Sequence, residues 1–246
     1  MNLASNTVLI TGGASGIGLA LAARFMQAGS QLIVCGRRED KLREAAALHP
    51  GLRTRVSDLA TPSGRTSLFD WVTRECPSVN VLINNAGIQR RVRLAEPQDW
   101  APTQAEIAIN FEAPVHLSTM FIPHLAARPQ PAIINITSGL AFVPMAAAPV
   151  YSATKAALHS FTLSLRHQLA ATPIQVIEIA PPATNTDLGG PGLHTFGVPL
   201  DEFADAVTAR LVAGDLEITY GFSAQSSRAS RSEQDEIFAR MNQPRP

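Results

Sequence analysis

The fold is decided close to the N-terminus by the stretch TVLITGGASGIG, residues 7–18. The run Thr7–Thr11 is apolar and β-branched, which predicts a buried strand, and the spacing of apolar residues in Leu19–Ala28 predicts a helix. Glycines in the turn between them let the backbone approach a phosphate group, and the helix N-terminus presents unpaired N–H groups to it. The stretch therefore predicts a strand–turn–helix unit that binds a dinucleotide, although a glycine-rich turn also occurs in sheets that bind nothing.

Six more short apolar runs alternate with amphipathic helical patterns along the chain. They are Gln31–Cys35, Leu52–Val56, Val81–Ile83, Ala132–Ile136, Ile174–Ile179 and Glu217–Tyr220. Near-continuous apolar strands joined by helical crossovers are typical of a parallel sheet that is covered on both faces. We therefore predict an α/β fold, a doubly wound seven-stranded parallel sheet of the Rossmann type. We expect a single domain over residues 1–246, with a short C-terminal extension at residues 222–246.

The composition restricts the classes of partner. Hydrophobic residues make up 46% of the chain and charged residues 16%, a balance typical of a packed globular protein. Twenty basic and twenty acidic residues cancel, so no overall field attracts nucleic acid or an anionic membrane surface, and a small molecule is the expected partner. No apolar run reaches the roughly 20 residues needed to cross a bilayer, and the polar start Met1–Asn6 lacks the features of a signal peptide. We expect a cytoplasmic protein.

Metal-binding patterns are missing from the sequence. The six histidines form no ligand-like group, and neither Cys35 nor Cys76 has the spacing of a metal or redox site. We therefore expect chemistry without a bound metal.

Four motifs follow the later predicted strands in order. They are Asn84-Asn85-Ala86-Gly87, Ser138, the pair Tyr151-x-x-x-Lys155, and Pro181 followed by Thr186. Together with the spacing T-G-x-x-x-G-x-G at Gly12, Gly16 and Gly18, these motifs resemble the short-chain dehydrogenase/reductase family over nearly the whole chain. The resemblance implies an enzyme that transfers hydride between a nicotinamide dinucleotide and a carbonyl or secondary alcohol. Within the family, Asn85–Gln89, Pro181–Pro182 and Arg240–Asn242 most resemble the subgroup named after lipoteichoic-acid D-alanylation operons.

The resemblance also implies which residues bind the cofactor. By that resemblance Asp58 and Leu59 flank the adenine, residues 85–87 contact the adenosine ribose, and Thr186 contacts the nicotinamide amide. The complete predicted set is Gly12, Ser15, Gly16, Ile17, Gly18, Arg37, Arg38, Asp58, Leu59, Asn85, Ala86, Gly87, Tyr151, Lys155, Pro181, Thr184 and Thr186. The family usually has Pro-Gly where this chain has Pro181-Pro182. Because proline lacks a donor N–H and fixes φ, we expect the turn facing the nicotinamide to differ locally.

The choice of dinucleotide depends on the end of the second strand. An acid about 20 residues past the glycine turn would accept a hydrogen bond from the ribose 2′-hydroxyl, but this chain has Gly36-Arg37-Arg38 there. Arginine can hold a 2′-phosphate through charge-assisted hydrogen bonds, whereas a carboxylate repels it. The sequence therefore predicts NADP(H), with NAD(H) as the second choice. In the alternative interpretation, Arg37 and Arg38 only begin a solvated helix, and Glu39 or Asp40 serves the ribose.

Tyr151 and Lys155 are the predicted acid/base pair. They lie four residues apart in a helical pattern, so both side chains project from one helix face. A free phenol has a pKa near about 10, and a cation nearby favours its ionised form, which suits it to proton transfer. Ser138, thirteen residues earlier, would donate a hydrogen bond to the carbonyl oxygen as charge develops there. A serine that only caps a turn is the alternative for Ser138.

Asn110 corresponds to the fourth catalytic position of the family. The resemblance implies that it holds a water molecule linking Lys155 to solvent. The alternative is a buried polar residue that closes a helix kink near Pro114.

Three further features leave alternatives open. The stretch Leu188–Leu200, rich in glycine and proline, is either a mobile lid over the site or an ordinary loop. Arg90, Arg91 and Arg93 are either a solvated charge run or an anion-steering group. The whole protein is either the proposed oxidoreductase or a non-catalytic dinucleotide-binding sensor on the same fold.

The chain is expected to assemble. The predicted helices Gln104–Leu117 and Val150–Ala170 carry apolar surface, and in the family the matching helices pair across a two-fold axis. We therefore expect a homodimer or a homotetramer.

Overall fold

One parallel sheet organises the molecule, and its strand order is β3-β2-β1-β4-β5-β6-β7. A computed structural model describes residues 1–243, so the last three residues of the predicted C-terminal extension lie outside the described part. The strands are β1 Thr7–Thr11, β2 Gln31–Gly36, β3 Arg53–Val56, β4 Val81–Asn84, β5 Ala132–Ile136, β6 Gln175–Ala180 and β7 Glu217–Thr219. The predicted doubly wound α/β fold is confirmed, with strand ends that differ from the predicted ones by at most one residue.

Helices cover both faces of the sheet. They are α1 Gly16–Gln27, α2 Glu39–Leu48, α3 Pro62–Glu75, α4 Trp100–Ile107, α5 Ala113–Ala126, α6 Pro149–Gln168, α7 Leu200–Ala213, α8 Phe222–Arg228 and α9 Arg231–Met241. One apolar core joins α1, α2 and α7 to the sheet, and the other joins α3, α5 and α6 to its opposite face. Along β1, Val8 and Ile10 enter the first core while Leu9 enters the second, because successive strand side chains point to opposite faces.

The topology creates a crevice for a ligand. From β1 the chain adds β2 and β3 on one side, and then β4 to β7 on the other side. The strand order therefore reverses between β1 and β4. Ligands of open parallel sheets bind outside the carboxyl ends of the strands at such a switch point. The turns that follow β1 and β4 meet there.

The helix predicted over Gln104–Leu117 is interrupted in the structure. Helix α4 ends at Ile107, a π-helical turn spans Ala108–Glu112, and α5 begins at Ala113. Pro114 has no N–H to donate to the carbonyl of the residue four positions earlier, which is Asn110, so the regular α-helical ladder cannot continue there. The widened turn holds Asn110, which is 0% exposed.

The C-terminal extension returns to the carboxyl edge of the sheet. In α8, the Ser223 hydroxyl donates to the Ala180 carbonyl oxygen at 2.5 Å. Beyond α9, the Ala146 N–H donates to Asn242 Oδ1 at 2.6 Å, so this segment contacts the loop that follows β5. Over residues 1–243, no helix is both long and apolar enough to span a membrane.

Candidate active site

The predicted site residues converge on one edge of the sheet. The glycine turn follows β1, Arg37 and Arg38 follow β2, residues 58–59 follow β3, and residues 85–87 follow β4. Ser138 follows β5, and Pro181, Thr184 and Thr186 follow β6. Tyr151 and Lys155 lie on α6, and Asn110 lies in the π-helical turn. Every predicted cofactor or catalytic residue is thus on the carboxyl side of the strands or on an element that faces it.

The glycine turn packs so closely against the next loop that side chains are excluded. Gly12 has φ +63°, and a Cβ atom there would lie 2.8 Å from the Ala86 Cα atom. A Cβ atom on Gly18 would lie 2.5 Å from Asn85 Nδ2. Asn85 uses that same nitrogen to donate to the carbonyl oxygens of Thr11 at 2.9 Å and Gly12 at 3.1 Å. Asn85 thus fixes the glycine turn from the β4 side.

Gly16 lies close to Thr186 in the loop after β6. Its φ is +54°, and a Cβ atom there would lie 3.4 Å from the Thr186 methyl group. Ser15 caps α1 with extended backbone and has no side-chain bond to the helix. The turn therefore brings backbone N–H groups, a free helix N-terminus and the loop after β6 together, a set that fits a pyrophosphate.

The end of β2 presents cationic donors. Arg37 and Arg38 are exposed, and Arg38 Nη2 donates to Ser15 Oγ at 3.1 Å, so this guanidinium already reaches the glycine turn. Glu39 and Asp40 begin α2 and are exposed as well. The donors fit an adenosine 2′-phosphate better than a bare ribose, because both arginines precede the two acids at the strand end.

The two residues predicted to flank the adenine differ in polarity and in exposure. Asp58 is exposed, and its Oδ1 accepts from the Ala60 N–H at 3.0 Å. Leu59 is buried and belongs to the second core. The Asp58 carboxylate is therefore available to a ligand, whereas the Leu59 side chain mainly packs against the protein.

Tyr151 and Lys155 are both buried. The Lys155 ammonium lies 5.7 Å from the Tyr151 ring centroid and donates to the Ile136 carbonyl oxygen at 2.7 Å. Burial lowers the pKa of Lys155 to about 8. Burial raises the pKa of Tyr151 to about 12, hydrogen bonding to the Ser138 side chain lowers it, and the Glu106 charge raises it further. The protein alone thus keeps the phenol protonated at neutral pH.

Asn110 ties the π-helical turn to the loop after β4. Its Nδ2 donates to the Ile88 carbonyl oxygen at 2.8 Å and to Thr154 Oγ1 at 3.2 Å, while its Oδ1 accepts from the Ile88 N–H at 2.9 Å. A Cβ atom on Gly87 would lie 3.5 Å from Asn110 Oδ1 and 3.6 Å from Lys155 Nζ. Asn110 therefore closes the helix break and also stands beside Lys155 across Gly87.

Ser138 caps a short 3₁₀ turn, Gly139–Ala141, and its hydroxyl oxygen accepts from the Leu140 N–H at 3.1 Å. The Gly139 N–H donates to the Pro181 carbonyl oxygen at 2.8 Å, which joins this turn to the loop after β6. In that loop, Thr184 Oγ1 donates to the Pro182 carbonyl oxygen at 3.2 Å. The hydroxyl of Ser138 thus caps a turn, and the Ser138 side chain also lowers the pKa of the Tyr151 phenol.

Sequence reasoning missed Glu106. This carboxylate is 1% exposed and accepts from the Arg90 N–H at 3.2 Å. Burial raises its pKa, and the hydrogen bond and charge of Arg90 act against that rise. Its position one helical turn before Asn110 was the available signal. Among residues 1–243, no cluster of three or more His, Cys, Asp or Glu side chains could hold a metal ion.

The stretch predicted as a lid or a loop contains turns up to the start of α7. Gly189 has φ +78°, and a Cβ atom there would lie 3.2 Å from the Gln89 carbonyl oxygen. Within the same stretch, the Phe196 side chain is 67% exposed. The stretch therefore touches the loop after β4 across the crevice.

The chain is similar to known proteins in sequence and in fold. The family profile described as short chain dehydrogenase matches residues 6–193. The uncharacterized oxidoreductase DltE of Bacillus subtilis (strain 168) is 45% identical over 248 residues, which cover 98% of each chain. A short-chain dehydrogenase from Burkholderia cenocepacia J2315, solved in complex with NADP, has a TM-score of 0.85 at 24% identity and covers 99% of this chain and all of its own. One from Sphingobium yanoikuyae, in complex with NADPH, has a TM-score of 0.80 at 25% identity and covers 98% of both chains.

Proposed function

Since the chain belongs to the short-chain dehydrogenase/reductase family of oxidoreductases, we propose that it transfers hydride between NADP(H) and a carbonyl or secondary alcohol of a small molecule. The observation that carries the proposal is the buried pair Tyr151 and Lys155, with Ser138 beside the phenol, at the edge where the glycine turn lies. A structural role alone does not account for a lysine 3% exposed that pairs with no carboxylate within the described chain.

The cofactor proposal is NADP(H), with NAD(H) as second choice. The pyrophosphate would lie on the turn from Gly12 to Gly18, the 2′-phosphate against Arg37 and Arg38, and the nicotinamide near Thr186. Two fold neighbours bound to NADP and NADPH support this choice, as does the position of the arginines. When bound, the reduced nicotinamide supplies the hydride.

Proton transfer is assigned to Tyr151. During reduction, the protonated phenol donates to the carbonyl oxygen as negative charge develops there, and Ser138 donates a second hydrogen bond to the same oxygen. The Lys155 ammonium, which a pKa of about 8 leaves mostly protonated at pH 7, stabilises the phenolate that forms. During oxidation the same phenolate accepts the proton of the alcohol. In this proposal the ammonium would also bind the hydroxyls of the nicotinamide ribose.

The experiment that tests this function is a panel of carbonyl and alcohol substrates, assayed by NADPH absorbance with the wild-type protein. We expect oxidation of NADPH with at least one carbonyl class and reduction of NADP⁺ with the matching alcohol. Tight NADPH binding without turnover across the panel would instead favour the dinucleotide-binding sensor.

We also propose that the protein acts as a homodimer or homotetramer. An apolar groove of about 440 Å³ lies between α4 and the start of α6, lined among others by Leu94, Trp100, Ile107, Phe111 and Val150. Leu94 is 69% exposed and Trp100 63% exposed. Exposed apolar surface of this kind marks a site for association.

A further inference from the structure

A carboxylate lies buried on β6, the next-to-last strand of the sheet. Glu178 on β6 is 0% exposed, and β6 is flanked by β5 and β7. Removing a carboxylate from water is unfavourable unless other groups in the protein compensate for the lost hydration. Two side chains do so here. Thr137 Oγ1 donates to its Oε1 at 2.6 Å, and His159 Nδ1 lies 2.8 Å from its Oε2 and 3.0 Å from its Oε1.

Both partners of Glu178 adjoin the catalytic group. Thr137 directly precedes Ser138, and its N–H also donates to the Ile179 carbonyl oxygen at 2.8 Å. His159 follows Tyr151 and Lys155 at successive four-residue steps, so all three share one face of α6. The carboxylate therefore links the helix that carries the acid/base pair to the segment that carries Ser138.

We propose that Glu178, His159 and Thr137 form a positioning network that holds Ser138 in register with Tyr151. The proposal rests on the function proposed above, since it assigns the network a role in that reaction. The network acts through Thr137: with its hydroxyl fixed on Glu178, the backbone at Ser138 cannot rotate away from α6. None of the three residues needs to touch the substrate.

The charges around the network favour an ion pair. The hydrogen bond with Glu178 raises the pKa of His159, burial lowers it, and the charge of Glu178 raises it further. Glu217 on β7 also raises the pKa of His159, and Arg166 on the same helix as His159 lowers it. The Phe142 ring, in the loop after β5, packs edge-on at 4.9 Å between ring centroids and covers the imidazole. A protonated imidazole beside an ionised carboxylate gives the strongest hydrogen bonds in such a site.

The first test is hydrogen exchange, which needs no substrate. The variants are Glu178→Gln, His159→Gln and Thr137→Val, with Thr137→Ser restoring the hydroxyl. The matched control is His167→Gln, an exposed histidine on the same helix. We expect protection of the Gly139 and Leu140 amides to fall about tenfold or more in the first three variants, the effect of losing one charge-assisted hydrogen bond. We expect the serine variant and the control to match the wild type.

Catalysis supplies the second test, with a carbonyl substrate found in the panel. We expect kcat to fall about tenfold or more in Glu178→Gln and Thr137→Val, with KM for NADPH unchanged and with activity regained in Thr137→Ser. Exchange that rises equally along β5 and β6, or an unchanged kcat despite local exchange at Gly139 and Leu140, would overturn the proposal. If the wild type turns over no substrate, the proposed function fails, and a wild-type pattern of exchange in all variants would separately reject the network.

Discussion

At the scale of single residues, burial sets the protonation of the groups closest to the chemistry. It moves Tyr151 and Lys155 in opposite directions, to pKa values of about 12 and about 8, because both shifts favour the neutral form. A phenol with that pKa is protonated at neutral pH, so it carries a proton to donate and must lose that proton before it can act as a base. In the proposed reaction, alcohol oxidation would therefore need the charge of Lys155 and the positive charge of the oxidised dinucleotide to stabilise the phenolate.

Coenzyme choice is tested with Arg37→Ala. Removal of the guanidinium that we propose binds the 2′-phosphate should weaken NADP(H) binding by about 1.5–3 kcal/mol and leave NAD(H) binding nearly unchanged. Fluorescence titration with all four nucleotides measures the effect. Arg43→Ala, which removes an exposed arginine further along α2, is the control. Equal losses of affinity for both coenzymes, or a wild-type preference for NAD(H), would show that Arg37 does not bind the 2′-phosphate.

At the scale of elements, the junction of β1 and α1 requires Gly12. Gly12→Ala imposes both an unfavourable positive φ and a contact of 2.8 Å with backbone at Ala86. Gly29→Ala is the matched control, since Gly29 has φ +91° and nothing within 4 Å of the added atom. We expect about 1–2 kcal/mol lost in the control from backbone strain alone and a further loss of about 1–3 kcal/mol at Gly12 from overpacking. Equal losses in chemical denaturation would mean that the β4 loop simply moves aside.

The contact between α6 and β6 predicts a pH dependence of stability. The pKa of His159 is raised in the folded protein, chiefly by its hydrogen bond with Glu178. The contribution of the pair is therefore complete below the ordinary histidine pKa of about 6.5 and is lost as pH rises through the raised folded value. We expect the free energy of unfolding to decline across that window in the wild type and in His167→Gln. In Glu178→Gln this decline should disappear; a curve parallel to the wild type would refute the ion pair.

Periodicity in the sequence identifies elements better than it identifies their contacts. The bounds of β1 and β5 are those expected from their apolar runs, because each strand is buried on both faces. The sequence predicts the break at Ala108–Glu112 only as a possible kink near Pro114, because its π-helical form involves bonds from Asn110 to the Ile88 backbone that only the fold shows. Glu106 shows a related limit: its spacing from Asn110 is visible in the sequence, but only the folded chain shows that its carboxylate is buried.

The network of Glu178, His159 and Thr137 is another set of contacts that the sequence pattern does not identify. Thr137 and Glu178 are 41 positions apart, and they meet only because β5 and β6 are neighbours in the sheet. By contrast, the roles proposed for Ser138, Tyr151 and Lys155 come from a family spacing that is visible in the sequence. Residues that act through a partner on another element leave no local pattern.

At the scale of the whole molecule, the apolar groove between α4 and α6 predicts self-association. Trp100→Glu places a charge in that groove and should shift the protein toward its 26.2 kDa monomer. Val212→Glu, which changes a residue 61% exposed on α7, is the control and should keep the wild-type size. Light scattering at micromolar protein measures both. A wild type that is only monomeric would contradict the expected homo-oligomer.

The most direct measurement of the central claim is turnover by Tyr151→Phe, which removes the hydroxyl and keeps the ring. The chain has one other tyrosine, Tyr220, whose hydroxyl bonds Glu202, so Tyr220→Phe is a matched control. With a carbonyl substrate and saturating NADPH, we expect Tyr151→Phe to lose roughly 10²–10⁴-fold in rate while NADPH affinity changes little. Tyr220→Phe should resemble the wild type. A folded Tyr151→Phe protein that binds NADPH and turns over at the wild-type rate would contradict the assignment of Tyr151 as the acid/base.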